Sequence, residues 1–197
     1  MRITRFENSI FKSNSYIIDN GGSRAVIIDI GDFAPLEEFV KSEGLEPAGV
    51  LITHTHYDHI YGIKEFMSRY PDVRIYTSEF GKMAFAKPNL NFSRYHNDFI
   101  CIESDKIVPL GDNDVISIID NLRIKVIATP GHDMSCLSYE AEDNIFTGDS
   151  YIPGIKVVDT FPKSDKALAR HWYEVLREMA QIHNVYPGHG PEQILTK

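Results

Sequence analysis

Seven histidine and aspartate residues constrain this chain more than any other feature of its sequence: six lie in three separated segments, and Asp149 lies between the last two segments. Each group lies beside Gly or Thr at the end of an apolar run. Imidazole and carboxylate ligands suit zinc, iron or manganese, and together they can hold two ions with a water-derived nucleophile between them. The sequence therefore predicts a metal site built from His54, His56, Asp58, His59, His132, Asp149 and His189.

The spacing within the first segment favours a site at the end of a strand. His54 and His56 are two residues apart. In extended backbone both side chains then project to the same side, whereas a helix would turn them about 200° apart. They follow the apolar run of residues 49–53, which predicts a buried strand. Asp58 and His59 follow where the chain has to curl into a helix, so they can face a second ion nearby.

The other three ligands also follow strand-like runs, and neighbouring glycines allow the backbone to turn tightly beside a metal. These ligands are His132, Asp149 and His189, and the glycines are Gly131, Gly148, Gly188 and Gly190. A histidine in a loop is usually solvated or hydrogen-bonded. We apply that interpretation to His96, His171 and His183, which no motif surrounds. For the seven-residue set we expect metal binding, because chance does not readily produce such spacings at successive strand ends.

Length and composition predict one globular domain, residues 1–197. Of the 197 residues, 43% are hydrophobic and 24% are charged, which is enough for one large core and too little for two ordinary domains. The formal net charge of −8 argues against nucleic acid or an anionic membrane as partners. We therefore expect a small-molecule substrate, and the oligomeric state stays open.

The sequence predicts a cytoplasmic location. Cys101 and Cys136 are the only cysteines, which favours a reducing compartment over a disulfide framework. Residues 1–6 lack the apolar stretch of a signal peptide, and no run approaches the roughly 18 apolar residues of a membrane span. Cys136 lies four residues past His132, and we expect it to be a core residue on the following strand.

Strand-like and helix-like runs alternate along the chain. A turn at Asn20-Gly21-Gly22 predicts a hairpin. Strands are predicted at residues 14–19, 25–30, 49–53, 73–77, 115–119, 122–128, 135–140, 144–147 and 184–186, and helices at residues 35–40, 60–69 and 78–86. Two halves with strands followed by helices imply two sheets packed face to face, with helices outside.

The pattern also predicts one further helix and one long loop. Ser164 is predicted to cap a helix that runs to about Ala180. Its buried face is predicted to consist of Leu168, Trp172, Val175, Leu176 and Met179. Residues 87–98 are rich in Pro, Asn and Asp and predict a long loop, and long ordered loops in compact domains are often functional.

The motifs resemble those of the metallo-β-lactamase-fold superfamily and, within it, the glyoxalase II-like hydrolases. The resemblance covers nearly the whole length and rests on Asn14-Ser15-Tyr16, Ile28-Asp29-Ile30-Gly31, residues 53–59, residues 129–132, Gly148-Asp149 and residues 187–190. It implies a four-layer αβ/βα sandwich of two mixed β-sheets with helices outside and the site at one edge. It also implies that Asp29 lies behind the site, where it orients a ligand loop.

The resemblance further implies a division of the ligands. His54, His56 and His132 would hold a first ion, Asp58, His59 and His189 a second, and Asp149 would bridge both. Two divalent ions, zinc first and iron or manganese as alternatives, would then activate a bridging hydroxide that cleaves a thioester or other ester-like bond. Asp58 would take or orient a proton. Tyr57, Tyr61 and Tyr151 lie next to ligands, and either packing or a substrate contact is open for each.

The sequence also departs from the glyoxalase II pattern. Glyoxalase II proper has a further C-terminal helical domain, which we expect to be absent because only seven residues follow Gly190. Ile60-Tyr61-Gly62 stands where many relatives have a Gly-Gly pair. Residues 133–136 and 155–158 also differ from the usual segments. Glutathione thioester specificity is therefore open, and a smaller thioester or a lactone is an alternative.

Other functions are alternatives to this hydrolase. A persulfide dioxygenase, which resembles this fold but uses one iron, is the main alternative, and a lactonase or phosphodiesterase of the same fold is another. β-Lactamase activity is disfavoured because true β-lactamases of the superfamily generally lack the bridging aspartate. A nuclease would need a basic surface that the sequence does not show. A non-catalytic metal module is disfavoured by the complete ligand set.

Overall fold

Two mixed β-sheets lie face to face in the computed structural model, which describes residues 1–196. Lys197, the last residue of the predicted domain, lies outside the described residues. The first sheet has the strand order β1-β2-β3-β4-β5-β6. Its strands are β1 (Arg2–Glu7), β2 (Asn14–Asp19), β3 (Arg24–Ile28), β4 (Glu46–Leu51), β5 (Arg74–Thr77) and β6 (Ile107–Pro109). The pairs β1–β2 and β2–β3 are antiparallel, and β3 to β6 run parallel.

The second sheet has the strand order β11-β10-β9-β8-β7. Its strands are β7 (Val115–Ile116), β8 (Ile124–Ala128), β9 (Leu137–Ala141), β10 (Asn144–Gly148) and β11 (Asn184–Pro187). Strand β9 is antiparallel to both β8 and β10, while β10 and β11 are parallel. Strands β8, β10 and β11 therefore point the same way, and their carboxyl ends meet at one edge of the sheet.

Helices cover the outer face of each sheet. They are α1 (Phe33–Ser42), α2 (Tyr57–Ile60), α3 (Ile63–Arg69), α4 (Glu79–Phe85) and α5 (Lys166–Met179), together with a 3₁₀ turn at Ser93–His96. No helix among residues 1–196 is long and apolar enough to cross a bilayer.

The layers follow from the alternation of side chains along the central strands. In β2, Ile17 packs toward α1 and α3, whereas Tyr16 and Ile18 pack against the second sheet. Successive residues of a strand point to opposite faces, so a strand that is covered on both faces has to be apolar throughout. A third group of buried residues joins the second sheet to α5 through Ile145 and Leu176. The predicted sandwich is therefore confirmed.

Three local expectations were wrong. The helix predicted at residues 60–69 is divided, because the Gly62 amide donates to the Ile30 carbonyl at 3.2 Å and interrupts the helical ladder. The strand predicted at 115–119 ends at Ile116, since the chain then turns and Leu122 N–H bonds to the Ile119 carbonyl at 3.4 Å.

The third wrong expectation concerns the residue that caps the N-terminus of α5. Asp165 is the N-cap, and its Oδ1 accepts from the amides of Ala167 and Leu168 at 2.9 and 3.0 Å. The Ser164 hydroxyl donates instead to the His132 carbonyl at 2.6 Å. Within the predicted buried face, Leu176 is fully buried and Trp172 and Met179 pack beside it. Strands β1 and β6 were not predicted.

Candidate metal centre

All seven predicted ligands converge at the edge of the sandwich where strand ends of both sheets meet. The loop after β4 and helix α2 bring four of them from the first sheet. The loops after β8, β10 and β11 bring the other three from the second sheet. Nitrogen and oxygen atoms within each of three groups lie within 4.8 Å of one another. The groups are His54, His56 and His132; His54, His59 and Asp149; and Asp58, His59 and His189.

Asp149 lies between the two ends of the cluster. Its Oδ2 is 3.6 Å from Nε2 of His132 and 3.4 Å from Nε2 of His189. At the first end, His132 Nε2 lies 3.0 Å from His56 Nδ1. At the second end, His189 Nε2 lies 3.2 Å from Asp58 Oδ2. The arrangement consists of two neighbouring sets of donor atoms with one carboxylate reaching both.

Each of the five imidazoles turns one nitrogen toward the cluster centre, and four of them have a hydrogen-bond partner for the other nitrogen. Nδ1 of His59 contacts Asp29 Oδ2 at 2.8 Å, and Nδ1 of His132 contacts the Val158 carbonyl at 2.8 Å. Metal-binding histidines characteristically have such a partner, which fixes the tautomer and the orientation of the ring. The remaining partners are Thr53 Oγ1, 3.2 Å from His54 Nδ1, and the Phe11 carbonyl, 3.2 Å from His189 Nδ1. His56 Nε2 is buried without a hydrogen-bond partner, and it lies 3.6 Å from Asp133 Oδ2.

Asp29 occupies the position that the resemblance implied. Its two oxygens accept from the amide and the hydroxyl of Thr53, each at 2.7 Å, while Oδ2 also contacts His59. One buried carboxylate thus orients both the start of the loop that carries the predicted ligands and the predicted ligand His59. The expectation for Asp29 is confirmed.

Buried atoms without partners indicate that the cluster fits a cation. His54 Nε2 and Asp149 Oδ1 are both buried, and neither has a hydrogen-bond partner. An unsatisfied buried polar atom costs about 1–3 kcal/mol, and more when it is charged. A divalent ion is the group that lone pairs of imidazole nitrogen and carboxylate oxygen would satisfy together. The donor set therefore fits the metal pair that the resemblance implied.

The charges within the cluster shift each other's pKa. Burial raises the pKa of Asp149, but the hydrogen bond with His189 and the nearby imidazole charges outweigh it and hold the pKa well below its usual value. Burial lowers the pKa of His189 and His59, yet the adjacent carboxylates raise these values to about 11 and about 9. Burial also keeps the pKa of His54 well below its usual value. The carboxylates of the cluster therefore stabilise a positive charge placed between them. Burial keeps His54 neutral, which is the form of imidazole that binds metal.

Glycine is required at two points beside the cluster. A Cβ on Gly188 would lie 2.1 Å from Asp149 Oδ1. Gly131 has a φ of 150°, and a Cβ there would lie 2.3 Å from the Ala169 amide nitrogen of α5. The glycines therefore permit close approach of the backbone, as the sequence predicted for these two positions.

A cavity of about 510 Å³ opens over the cluster, and aromatic side chains form much of its wall. Sequence reasoning missed most of this wall. His96 stacks on Tyr57 with ring centroids 4.2 Å apart, so it belongs to the cavity and is not merely a solvated loop residue. The only sequence signal for a role of His96 was its place within residues 87–98, the loop predicted to be functional. The other cavity residues are Phe11, His56, Asp58, Phe92, Tyr95, His132, Asp149, Val158, Phe161, Pro162 and His189.

The three tyrosines next to predicted ligands have different surroundings. Tyr57 lines the cavity and donates to Asp98 Oδ2 at 3.3 Å. Tyr151 packs among the buried residues under α5, and the hydroxyl of Tyr61 contacts Ser9 Oγ at 3.3 Å. Cys136 is buried, as predicted, and burial raises the pKa of its thiol well above the usual value. Outside the cavity, His183 Nε2 contacts Glu140 Oε1 at 3.2 Å, and His171 is exposed.

Comparison with known proteins agrees with this geometry. A family model described as the Metallo-beta-lactamase superfamily matches residues 9–189. A hydroxyacylglutathione hydrolase of Xylella fastidiosa strain 9a5c is 35% identical over 127 residues, which are 64% of this chain and 41% of that protein. The chain thus spans less than half the length of this curated relative.

Similar solved structures extend over nearly the whole chain. The BLEG-1 B3 metallo-beta-lactamase has a TM-score of 0.85 and 24% identity, covering 97% of this chain and 93% of its own. TTHA1623 in a di-iron-bound form has a TM-score of 0.79 and 21% identity, covering 96% and 93%. At these identities the likeness concerns the fold alone.

Proposed function

The chain belongs to the metallo-beta-lactamase superfamily, and from that premise we propose that it is a hydrolase that uses two divalent metal ions to cleave a thioester or a similar ester-like bond. Zinc is the proposed metal, and iron and manganese accept the same ligand types. The thioester class is proposed because the curated relative at 35% identity is named a hydroxyacylglutathione hydrolase.

In the proposal, the first ion is held by His54, His56 and His132. The second is held by Asp58, His59 and His189, with Asp149 between the two. Support comes from one observation above all: five imidazoles each direct one nitrogen to the centre, and in four of them a hydrogen-bond partner holds the other nitrogen. A fortuitous histidine cluster has no physical reason to orient four of its five rings in this way.

Bound ions would supply a nucleophile from water at neutral pH and would polarise the scissile carbonyl. The chain's own residues would position the attacking water and accept its proton. Burial raises the pKa of Asp58, but the charges of His59 and His189 outweigh it and lower the pKa below its usual value. Asp58 is then ionised near neutral pH and can accept or orient a proton of the attacking water. Since a water supplies the nucleophile, no side chain has to form a covalent intermediate.

A hydrolysis panel tests this proposal. Purified protein is assayed with thioesters, lactones, phosphodiesters and β-lactams, and each activity is compared in Asp58→Asn and in the control His171→Ala. Asp58→Asn preserves shape and removes the charge, so we expect thioester turnover to fall at least 100-fold. His171 is exposed on α5 and outside the cavity, so its variant should keep wild-type turnover.

Two outcomes would contradict the proposal. One is a lack of turnover with every member of the panel. The other is a single iron per chain with oxygen uptake in the presence of glutathione persulfide, which would instead establish the dioxygenase alternative. No specific observation in the structure favours that alternative.

A further inference from the structure

Four aromatic side chains surround the mouth of the cavity, and water reaches three of them freely. Phe11, Tyr95 and Phe161 are 67%, 69% and 38% exposed. We call these three and the half-buried Phe92 the aromatic rim. Exposed apolar area of this kind is costly unless something covers it, at about 25 cal/mol for each Å². Concentrated around one opening, it marks a binding surface.

Two of the rim rings lie against a histidine of the proposed metal site, and a third lies against the cavity residue His96. Phe92 and Phe161 are 5.5 Å apart, with centroids 4.7 and 5.0 Å from that of His56. On the other side of the mouth, Phe11 lies 5.7 Å from His96. A flat group attached to a bond held at the cluster would therefore meet ring faces or edges on both sides. Such pairs contribute about 0.5–1.5 kcal/mol beyond the area that they bury.

Two rim residues adopt backbone conformations that phenylalanine rarely takes. Phe11 has a φ of 51° and Phe92 a φ of 62°, both in the left-handed region. This conformation costs a residue with a Cβ about 1–2 kcal/mol. Strained backbone of this kind is more frequent at active sites and binding sites than elsewhere. At Phe11 the same backbone also directs its carbonyl to His189 Nδ1.

Among the described residues, no lysine or arginine lines this cavity. Lys12 follows Phe11, and Arg94 precedes Tyr95 with its Cζ 5.4 Å from the centroid of the Tyr95 ring, but neither lines the cavity. Arg94 and Lys163 line a separate groove together with Phe99. Lys64 is also close in the fold, but its ammonium pairs with Asp98. The carboxylates of a glutathione moiety would thus have no counterion among the residues that line the cavity.

From these observations we propose that the aromatic rim selects substrates with a planar apolar group beside the scissile bond and gives no advantage to a glutathione leaving group. This inference rests on the proposed hydrolase function and narrows its substrate class. The bond that breaks is the bond between the acyl carbon and the thiol sulfur or ester oxygen. Water adds its hydroxyl to the acyl carbon, and the leaving atom takes the proton.

Four thioesters test the inference. They combine a phenylacetyl or a lactoyl group with either glutathione or the neutral thiol N-acetylcysteamine. We expect kcat/KM to be at least tenfold higher for phenylacetyl than for lactoyl with either thiol, and within threefold between the two thiols. If lactoylglutathione is the best substrate by tenfold, the inference is wrong and the hydrolase proposal stands. If none of the four is hydrolysed, the inference is wrong, and the hydrolase proposal is also wrong if the wider panel shows no turnover.

A matched pair of variants locates the effect in the rim. Phe11→Asn removes an exposed ring at a positive φ that asparagine tolerates, and Phe99→Asn removes a ring that is 66% exposed in the separate groove. Phe11→Asn should reduce the preference for phenylacetyl at least fivefold, mainly through KM, because rim contacts bind substrate and transition state alike. The Tm of Phe11→Asn should not fall below that of the wild type. Phe99→Asn should keep the preference. Equal losses on all four substrates in Phe11→Asn would contradict the inference.

Discussion

At the scale of single residues, Gly188 leaves no room for a side chain beside the proposed bridging carboxylate. A Cβ there would lie 2.1 Å from Asp149 Oδ1 and 3.0 Å from His59 Cε1. We predict that Gly188→Ala displaces Asp149 and weakens metal binding about 10- to 100-fold, the range typical of changes beside a ligand. Titration against a chromophoric chelator measures this affinity.

Gly22→Ala is the matched control. A Cβ on Gly22 would meet nothing within 4 Å, so this variant should bind metal as the wild type does. Unchanged affinity in Gly188→Ala would mean that Asp149 does not contact the metal.

At this scale the sequence predicted which seven side chains converge, but little of what surrounds them. Motif spacing identified all seven converging side chains, because strand-end ligands follow apolar runs that are visible in sequence. Asp133 and the Phe11 carbonyl, which contact His56 and His189, were missed. The Phe11 contact joins segments 178 positions apart, so only the tertiary fold reveals it. Asp133 was noticed only as a departure from the family pattern.

At the scale of elements, helix α5 depends on its cap. Asp165 Oδ1 accepts from two amides of the first turn, which are otherwise unsatisfied in a helix. We predict that Asp165→Ala lowers the free energy of unfolding by about 1 kcal/mol, the usual value for such a cap. The midpoint of urea unfolding measures this, with exposed Asp105→Ala as the control. Equal midpoints for the two variants would contradict the assignment.

The element boundaries show what local sequence can and cannot specify. Ser164 and Asp165 are adjacent and both can cap a helix, so composition alone could not decide between them. The structure uses Asp165 for α5 and Ser164 for the His132 loop. The break before α3 depends on a contact between Gly62 and Ile30, which periodicity within the segment does not encode.

At the scale of the whole molecule, the proposed metal site joins the two sheets. His54, His56, Asp58 and His59 come from the first sheet, and the other three ligands come from the second. A ligand that binds only the folded state stabilises it by about 2.7 kcal/mol at 100 times its Kd. For a chain of this size, that corresponds to about 5–10 °C in Tm. We predict a fall of this size after chelation, measured by calorimetry, and its recovery when zinc is restored. Identical melting with and without chelator would contradict it.

The architecture could be predicted because strands buried on both faces and strand-end motifs are visible in the sequence. Ile17 and Ile18, for example, face opposite layers. The aromatic rim could not be predicted, since its members come from three distant segments with no shared pattern.

The metal content of the purified protein tests the central claim most directly. Elemental analysis of the wild type, of His189→Ala and of His171→Ala gives the number of metal ions per chain. Two ions in the wild type and in His171→Ala, with about one in His189→Ala, is the predicted result. A wild-type chain that binds one ion or none under metal-replete conditions would contradict the two-ion site.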